Sequence, residues 1–376
     1  MEITNEILTG AAAVAEGANA GEAGFRRVPR NPRLNTRIDE SLRVFERGLS
    51  GSLRGRADLA EALTTSDFPI LLGAGMEREL LAQYQDITPV WQGFASRTTV
   101  KDFKPKKLID LFGGQAILPV VKEGTEFPAR AVDETEYALK VGKRGARFAI
   151  TWETIVNDDL DGLRDLPSRL STGARDTEDH VATSLLVNEA GPNTDFFKSG
   201  NGNAPDNKPL TMDNLQAALT AISTRKDKEK RPIIVSAAVL VVPPGLEMQA
   251  RAILNATEIR TTVGDKTIVG QNFLRGVVTV VVNPWLPVIA TDGKASTRWF
   301  LLPAPSTARQ ALAVGFLRGH ETPDLRVKAD AGNSLGGGSL SPEDGSFEID
   351  DIQYRVRHVL GGATLDPIAT YVSNGS

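Results

Sequence analysis

The spacing of hydrophobic positions predicts one long helix in the middle of the chain. Asp165 stands where an N-cap belongs and Pro167 where a first-turn proline is tolerated, while Gly191-Pro192 ends the pattern. Apolar or small residues recur three or four positions apart, which places them on one helix face. They are Leu163, Leu166, Leu170, Ala174, Thr177, Val181 and Leu185. The sequence therefore predicts a helix over residues 165–189 with a length of roughly 35 Å.

Residues 97–150, before this helix, predict a two-stranded arm. Their extended segments are 108–112, 116–121, 135–141 and 147–150. Residues 122–133 between them have the Gly, Pro and mixed-charge composition of a turn. A two-stranded ribbon is marginally stable in water, so we expect this arm to pack against another copy of the chain or another protein.

The rest of the chain alternates between helical and extended patterns, which predicts a mixed α/β domain. The expected helices cover residues 64–85, 211–224 and 246–254. The expected strands cover residues 232–242, 277–282, 298–302, 309–316, 324–328 and 347–359. Gly361-Gly362 is expected to end the last of these strands.

Composition and charge exclude several classes of protein. The 376 residues are 41% hydrophobic, which suits a globular core over two or three domains. The formal net charge of −4 excludes an overall basic nucleic-acid binder, although a local basic segment is compatible with it. The chain has no cysteine, so disulfides, thiolate metal sites and cysteine nucleophiles are excluded together. No apolar run reaches the roughly 18 residues of a membrane span, and acidic residues occupy the start of the chain, so neither a span nor an export signal is expected.

A basic segment follows the polar residues 1–24. Between residues 26 and 56 the sequence carries nine arginines and three acidic residues. The composition suits an arm that lies along a polyanion or an acidic partner surface, and for a charge run alone the better interpretation is a solvated segment. The arginines that would face DNA or a neighbouring subunit are Arg26, Arg27, Arg30, Arg33 and Arg37.

The sequence contains no constellation of catalytic, metal-binding or cofactor-binding residues. His180, His320 and His358 lack the spacing of metal ligands, and the motifs G-x-S-x-G, H-E-x-x-H and Walker A do not occur. The acidic pairs at 158–159 and 350–351 suit surface or turn carboxylates better than a cation site. We therefore predict no catalytic residue, no metal and no cofactor, and the pattern favours a self-assembling structural protein.

The order of these parts resembles the major capsid proteins of tailed bacteriophages, the HK97-fold family, and is most similar to its Mu-like major head subunit branch. The resemblance covers roughly residues 64–376, and the order and spacing of several phrases carry it. These phrases are TTSDFPILLG from Thr64, KEGTEFP from Lys122, RFAITWETIVNDDL from Arg147, VLVVPPGLEMQARAILN from Val239 and FEIDDIQYRVRHVLGGATLDP from Phe347.

The resemblance implies an α+β, HK97-like capsid fold with four parts. Residues 1–97 would form an N-terminal arm and lead-in, and residues 98–150 an extended β-hairpin loop that lies over a neighbouring subunit. Residues 151–190 and 306–360 would form a peripheral domain with a long spine helix, and residues 191–305 and 361–376 an axial α/β domain. The inter-subunit tip of the loop would consist of Lys122, Glu123, Gly124, Thr125, Glu126, Phe127 and Pro128.

The function implied by the resemblance is that of a major head protein, which self-assembles into the icosahedral shell around the double-stranded DNA genome of a tailed phage. The implied partners are further copies in pentamers and hexamers, portal and scaffolding or decoration proteins, and packaged DNA bound without sequence specificity; no membrane is implied. The implied location is the virion, after assembly in the host bacterial cytoplasm. Two alternatives are an encapsulin-like nanocompartment shell protein, which shares the fold, and a soluble α/β enzyme, which would form a monomer or small oligomer with a polar pocket.

Overall fold

The structure, a computed structural model, describes most of the chain between residues 68 and 375. The described residues are 68–112, 133–151, 165–226, 233, 237–256, 258–263, 266–272, 274–307, 309–327, 332–333, 339–340 and 351–375, together with Thr36, Glu40, Arg43, Val44 and Arg47. The chain divides into two compact units. The first consists of Met1–Leu80, Arg147–Pro167 and Leu325–Arg355, and the second of Leu81–Ala146, Ser168–Asp324 and Val356–Ser376.

Helices and strands alternate through the described residues. The α-helices are α1 (Phe68–Asp86), α2 (Leu166–Thr183), α3 (Met212–Thr224), α4 (Glu247–Asn255) and the short α5 (Leu286–Ile289). The strands are β1 (Ser96–Val100), β2 (Lys106–Phe112), β3 (Asp133–Leu139), β4 (Gly142–Thr151), β5 (Val187–Asn188), β6 (Gly191–Pro192), β7 (Ala238–Val242), β8 (Glu258–Val263), β9 (Lys266–Gln271), β10 (Val278–Val282), β11 (Trp299–Pro303), β12 (Leu312–Leu317), β13 (Asp324–Val327), β14 (Gly332–Asn333), β15 (Ser339–Leu340), β16 (Asp351–Thr364) and β17 (Tyr371–Ser373).

The strands form two larger sheets and four hairpins. One sheet has the order β10-β7-β11-β17, in which β7 and β10 are parallel and the other pairs antiparallel. The other has the order β1-β12-β16-β13, with β4 also paired to β16. The hairpins are β2–β3, β5–β6, β8–β9 and β14–β15. This mixture of helices and largely antiparallel sheets is the α+β class predicted from the sequence.

The four-stranded sheet is buried on both faces, and the alternation along β7 shows how. Ala238, Leu240 and Val242 pack in one hydrophobic cluster with the apolar face of α3. Val239 and Val241 point the other way and pack in a second cluster with apolar residues of α2. A strand covered on both faces requires a continuous apolar sequence, and AVLVV supplies it.

Helix α3 matches its prediction closely. Thr211 is its N-cap, since its side chain accepts a hydrogen bond from the backbone N–H of Asn214. Leu215, Ala218 and Ile222 are buried, as their spacing predicts.

The predicted end of the long helix is wrong. Helix α2 ends at Thr183 rather than near residue 189, which leaves 18 residues and a length of about 27 Å. The next residues form a tight turn, in which the N–H of Leu186 donates to the carbonyl of Thr183 at 2.9 Å. Leu186 and Val187 are buried, but in the turn and the following hairpin rather than on a helix face. Leu185, the one position of the predicted spacing beyond Thr183, is partly buried in this turn and packs against the cluster that contains Leu186 and Val187.

The predicted end of the last long strand is also wrong. Strand β16 continues through Gly361-Gly362 to Thr364, and Gly361 pairs with Gly315 of β12. A Cβ at Gly361 would lie 2.0 Å from the carbonyl oxygen of Lys140. Glycine is therefore present because another backbone approaches closely, which is its alternative role within strands.

Replacing Gly173 with alanine is expected to stabilise the protein. Gly173 lies within α2, and nothing approaches within 4 Å of the place where a Cβ would be. Alanine loses less backbone entropy in a helix, so the free energy of unfolding should rise by about 0.5–1 kcal/mol in urea titrations of the unassembled subunit. The control is Gly362→Ala, whose Cβ would meet a Leu185 methyl at 2.9 Å and which should not stabilise.

Candidate functional site

The described part of the extended arm is an antiparallel ribbon of two strands. Strands β2 and β3 pair from Lys106↔Leu139 to Phe112↔Asp133. Among the described residues, neither strand pairs with a third strand. The predicted two-stranded arm is therefore confirmed for residues 106–112 and 133–139. The predicted inclusion of residues 147–150 is wrong, because they belong to β4, which pairs with β16 in the five-stranded sheet.

The residues predicted for inter-subunit contact lie beyond this base. The tip residues Lys122, Glu123, Gly124, Thr125, Glu126, Phe127 and Pro128 lie outside the described residues. The arginines Arg26, Arg27, Arg30, Arg33 and Arg37 also lie outside them. The roles of both sets remain predictions.

The root of the ribbon is fixed to the five-stranded sheet. Leu139 is fully buried in a cluster with Val100 of β1, Leu317 of β12 and Val359 of β16. Gly315 makes room for it, because a Cβ there would lie 2.6 Å from Leu139 Cδ2. Burial of Leu139 therefore determines where the ribbon leaves the second unit.

A buried carboxylate, Glu178, lies at the centre of a polar cluster on α2. Its Oε1 accepts a hydrogen bond from the Tyr84 hydroxyl and contacts His358 Nε2 at 3.0 Å. Its Oε2 accepts from Trp91 Nε1 at 2.8 Å and from Arg175 Nη1 at 3.2 Å. We call these five residues the Glu178 cluster. Because both carboxylate oxygens have two partners each, the cluster joins α1, the segment after it, α2 and β16 rather than offering a free reactive group.

Hydrogen bonding keeps Glu178 ionised although it is buried. Burial alone would raise the pKa of Glu178, but the hydrogen bonds from His358, Tyr84 and Trp91 and the nearby charge of His358 outweigh it and lower the pKa. The pKa of Tyr84 is raised above its usual range by burial and by the adjacent Glu178 carboxylate. Tyr84 therefore stays a neutral donor to an anionic acceptor at neutral pH.

The neighbouring carboxylate, Asp179, holds the segment after α1. It accepts the backbone N–H groups of Trp91 at 2.7 Å and Val90 at 3.2 Å, where a short 3-10 helix (Val90–Gly93) begins. Burial raises the pKa of Asp179 to about 6, although these two hydrogen bonds lower it in part. The two adjacent carboxylates therefore have pKa shifts of opposite sign.

The raised pKa of Asp179 predicts that the free energy of unfolding depends on pH. Since its pKa rises from 3.8 to about 6 on folding, the folded protein binds more protons than the unfolded chain between these values. The free energy of unfolding contributed by Asp179 should therefore fall by roughly 3 kcal/mol as the pH rises through this window. In Asp179→Asn this fall should be absent, as measured by urea unfolding between pH 4 and pH 7.

The matched control is Asp176→Asn, which removes an exposed carboxylate from the same helix. Its stability difference from the wild type should vary much less with pH, because the charge of Asp176 raises the pKa of Asp179 less than burial does. If Asp179→Asn and Asp176→Asn gave the same pH profile, the raised pKa of Asp179 would be refuted.

The described residues offer little support for other chemistry. They contain no group of three or more His, Cys, Asp or Glu residues placed to hold a metal ion. None of their helices is long and apolar enough to cross a membrane. His180 is exposed, and its ring lies edge-on to that of Trp285 with the two ring centroids 5.6 Å apart.

The buried sheets, the anchored ribbon and the Glu178 cluster, in which both carboxylate oxygens are hydrogen-bonded, are features of a structural protein. A family model described as phage capsid protein matches residues 134–373, well over half of the chain. The chain therefore belongs to the phage capsid protein family. It is a structural component of the shell of the virion and not an enzyme, as the resemblance of its sequence implied.

Comparison with individual proteins gives less information than the match to the family model. No curated protein matches the chain significantly. Among solved structures, it is similar to one from Gordonia phage Cozz, with 14% identity, a TM-score of 0.44 and coverage of 75% of this chain and 84% of that one. It is also similar to the capsid of cyanophage P-SCSP1u, with 12% identity, a TM-score of 0.44 and coverage of 77% and 88%. An encapsulin from Synechococcus elongatus matches with 14% identity, a TM-score of 0.42 and coverage of 78% and 89%.

These TM-scores all lie below 0.5, so the structural similarities do not decide between a phage shell and a nanocompartment shell. The match to the capsid family is what favours the phage shell. The narrower assignment to the Mu-like branch stays a prediction.

Proposed function

We propose that the protein is the major head protein of a tailed phage and forms an HK97-type icosahedral shell from pentamers and hexamers. The observation that carries this proposal is the ribbon of β2 and β3. Within the described residues it has a well-anchored root and no third strand. Since a two-stranded ribbon gains little stability alone, its natural complement is the surface of a neighbouring copy.

The proposed arrangement follows the four parts predicted from the sequence. The loop of residues 98–150 lies over a neighbour, the parts at 151–190 and 306–360 form the peripheral domain, and those at 191–305 and 361–376 cluster around the symmetry axes. Each contact is modest, but each subunit makes several, so the shell is stabilised by multivalency. Support for the axial part comes from the four-stranded sheet, whose strands β7, β10, β11 and β17 all fall within it.

The further partners belong to the same proposal. A tailed-phage shell assembles in the host bacterial cytoplasm, with portal and scaffolding or decoration proteins, and encloses double-stranded DNA. The formal net charge of −4 suits a container that holds DNA without gripping its sequence. The arginine-rich segment between residues 26 and 56 is the local exception that would face DNA, scaffold or a neighbour.

Deletion of residues 119–134 tests the role of the ribbon. The deletion removes the predicted tip together with Asp133 and Glu134 but leaves the paired base from Lys106↔Leu139 to Asp110↔Thr135. We expect a folded subunit, with a circular dichroism spectrum close to that of the wild type, that no longer forms particles in electron micrographs. Closed particles from the deletion variant would show that the loop does not hold the shell together.

A further inference from the structure

A basic patch surrounds the root of the ribbon. It consists of residues 101–107 and 140–144, which contain seven basic residues and one acidic residue, Asp102. All seven basic residues are exposed. They are Lys101, Lys104, Lys106, Lys107, Lys140, Lys143 and Arg144.

The two stretches form one continuous surface. Lys106 pairs with Leu139, directly before the second stretch. Lys143 Nζ lies 5.4 Å from the ring centroid of Phe103. Phe103 itself is 41% exposed, which is unusual for a large apolar side chain in the described residues. The patch therefore combines dense positive charge with an exposed aromatic ring.

The charge of the patch contrasts with that of the rest of the chain. Its seven basic residues and one acidic residue give it a formal charge of +6, and since the whole chain carries −4, the remainder carries −10. Two such patches would repel each other, so the patch cannot face itself across a two-fold axis. It suits a heterologous contact, in which one face of a subunit meets a different face of the next, and such contacts close into rings.

The densest acidic stretch of the same chain has a charge opposite in sign to that of the basic patch. Residues 343–351 contain five carboxylates, and no Lys, Arg or His occurs from residue 341 to 354. These carboxylates belong to Glu343, Asp344, Glu348, Asp350 and Asp351.

We propose that the basic patch binds the acidic stretch of residues 343–351 of a neighbouring copy of this chain. This inference rests on the proposed function, because it requires that copies assemble. The contact is a set of exposed ion pairs, so each pair contributes little and the whole depends on salt. Its main effect is to select which faces of two subunits meet.

Charge reversal on each side tests the proposal. The patch variant is Lys101→Glu, Lys104→Glu and Lys140→Glu, and the acidic-stretch variant is Glu343→Lys, Asp344→Lys and Glu348→Lys. Each single-sided variant should give about tenfold fewer particles than the wild type in sedimentation and electron microscopy, because every subunit loses the contact. A chain that carries all six changes should recover particles.

Mixing the two single-sided variants shows whether the contact joins different chains. In a ring of six that alternates the two variants, each reversed patch faces a reversed stretch and each unchanged patch an unchanged stretch, so hexamers should recover. A ring of five cannot alternate two variants, so the measurement is hexamer formation by native mass spectrometry. The matched control is Arg169→Glu, Arg318→Glu and Arg326→Glu, which makes the same change of charge at exposed positions outside both the patch and the part proposed to cluster around the symmetry axes, and it should leave the particle yield unchanged.

Two results would overturn the proposal. The first is a normal particle yield from the patch variant while the wild type also assembles, which would leave the proposed function standing. If that variant also lost duplex DNA binding by fluorescence anisotropy, DNA would be the occupant of the patch. The second is recovery of particles by the chain with all six changes without recovery of hexamers in the mixture, which would place the contact within one chain. A wild-type chain that forms no particles would instead refute the proposed function.

Discussion

Glu178→Gln is expected to lower the free energy of unfolding of the subunit by about 3–5 kcal/mol. The change preserves the size of the side chain but removes its charge and places an amide N–H₂ among donors. Arg175 then loses its anionic partner in a buried site, and two of the four donors around Glu178 face another donor. Urea unfolding of the unassembled subunit at pH 7 measures the effect.

The control for Glu178→Gln is Asp176→Asn, which neutralises an exposed carboxylate two positions earlier on the same helix. Its effect should stay within about 0.5 kcal/mol. A loss below about 1 kcal/mol in Glu178→Gln would show that the cluster contributes little net stability, as some buried ion pairs do.

Gly361→Ala is the second change with a large expected effect. A Cβ at this position would lie 2.0 Å from the carbonyl oxygen of Lys140 and 2.9 Å from its carbonyl carbon, both of them backbone atoms. Backbone cannot move aside as a flexible side chain can, so β16 and the segment between β3 and β4 must separate. We expect a loss of about 3 kcal/mol or more in the free energy of unfolding, at the upper end of overpacking effects.

The matched control for Gly361→Ala is Gly142→Ala, a strand glycine with no atom within 4 Å of the position that the new methyl group would occupy. It should be nearly neutral. Because Lys140 follows directly after the ribbon, Gly361→Ala should also reduce particle formation among the subunits that remain folded. Unchanged stability and assembly would mean that the close approach at Lys140 is absent in solution.

Sequence patterns predicted the elements whose burial is decided locally. The apolar run of β7 and the three-and-four spacing of α3 correspond directly to buried positions, because the strand and the helix each repeat their geometry over a few residues. The ribbon is predictable for the same reason, from two extended segments and the turn composition between them.

The features that the sequence patterns did not predict depend on long-range contacts. Glu178 lies in the polar stretch RDTEDH, which is typical of an exposed helix face. It is buried because donors come from Tyr84 and Trp91, about 90 positions earlier, and from His358, 180 positions later. The one local signal was Arg175 three residues before Glu178, a spacing that is equally common on surfaces.

The difference between local patterns and long-range contacts also explains why the predicted ends of α2 and β16 are wrong. The apolar spacing beyond Thr183 reflects burial in a turn, which periodicity alone does not separate from burial on a helix. Gly361-Gly362 carried the composition of a strand end, whereas the approach of Lys140 from another segment explains it.

Strand β16 has a consequence for the order of events during synthesis. It supplies the partner of β12, the backbone that Lys140 approaches and the histidine of the Glu178 cluster. A nascent chain that has emerged from the ribosome only as far as residue 350 therefore holds a ribbon whose root is not yet secured. Chains whose synthesis stops before this strand should therefore be incorporated into particles less efficiently than complete chains.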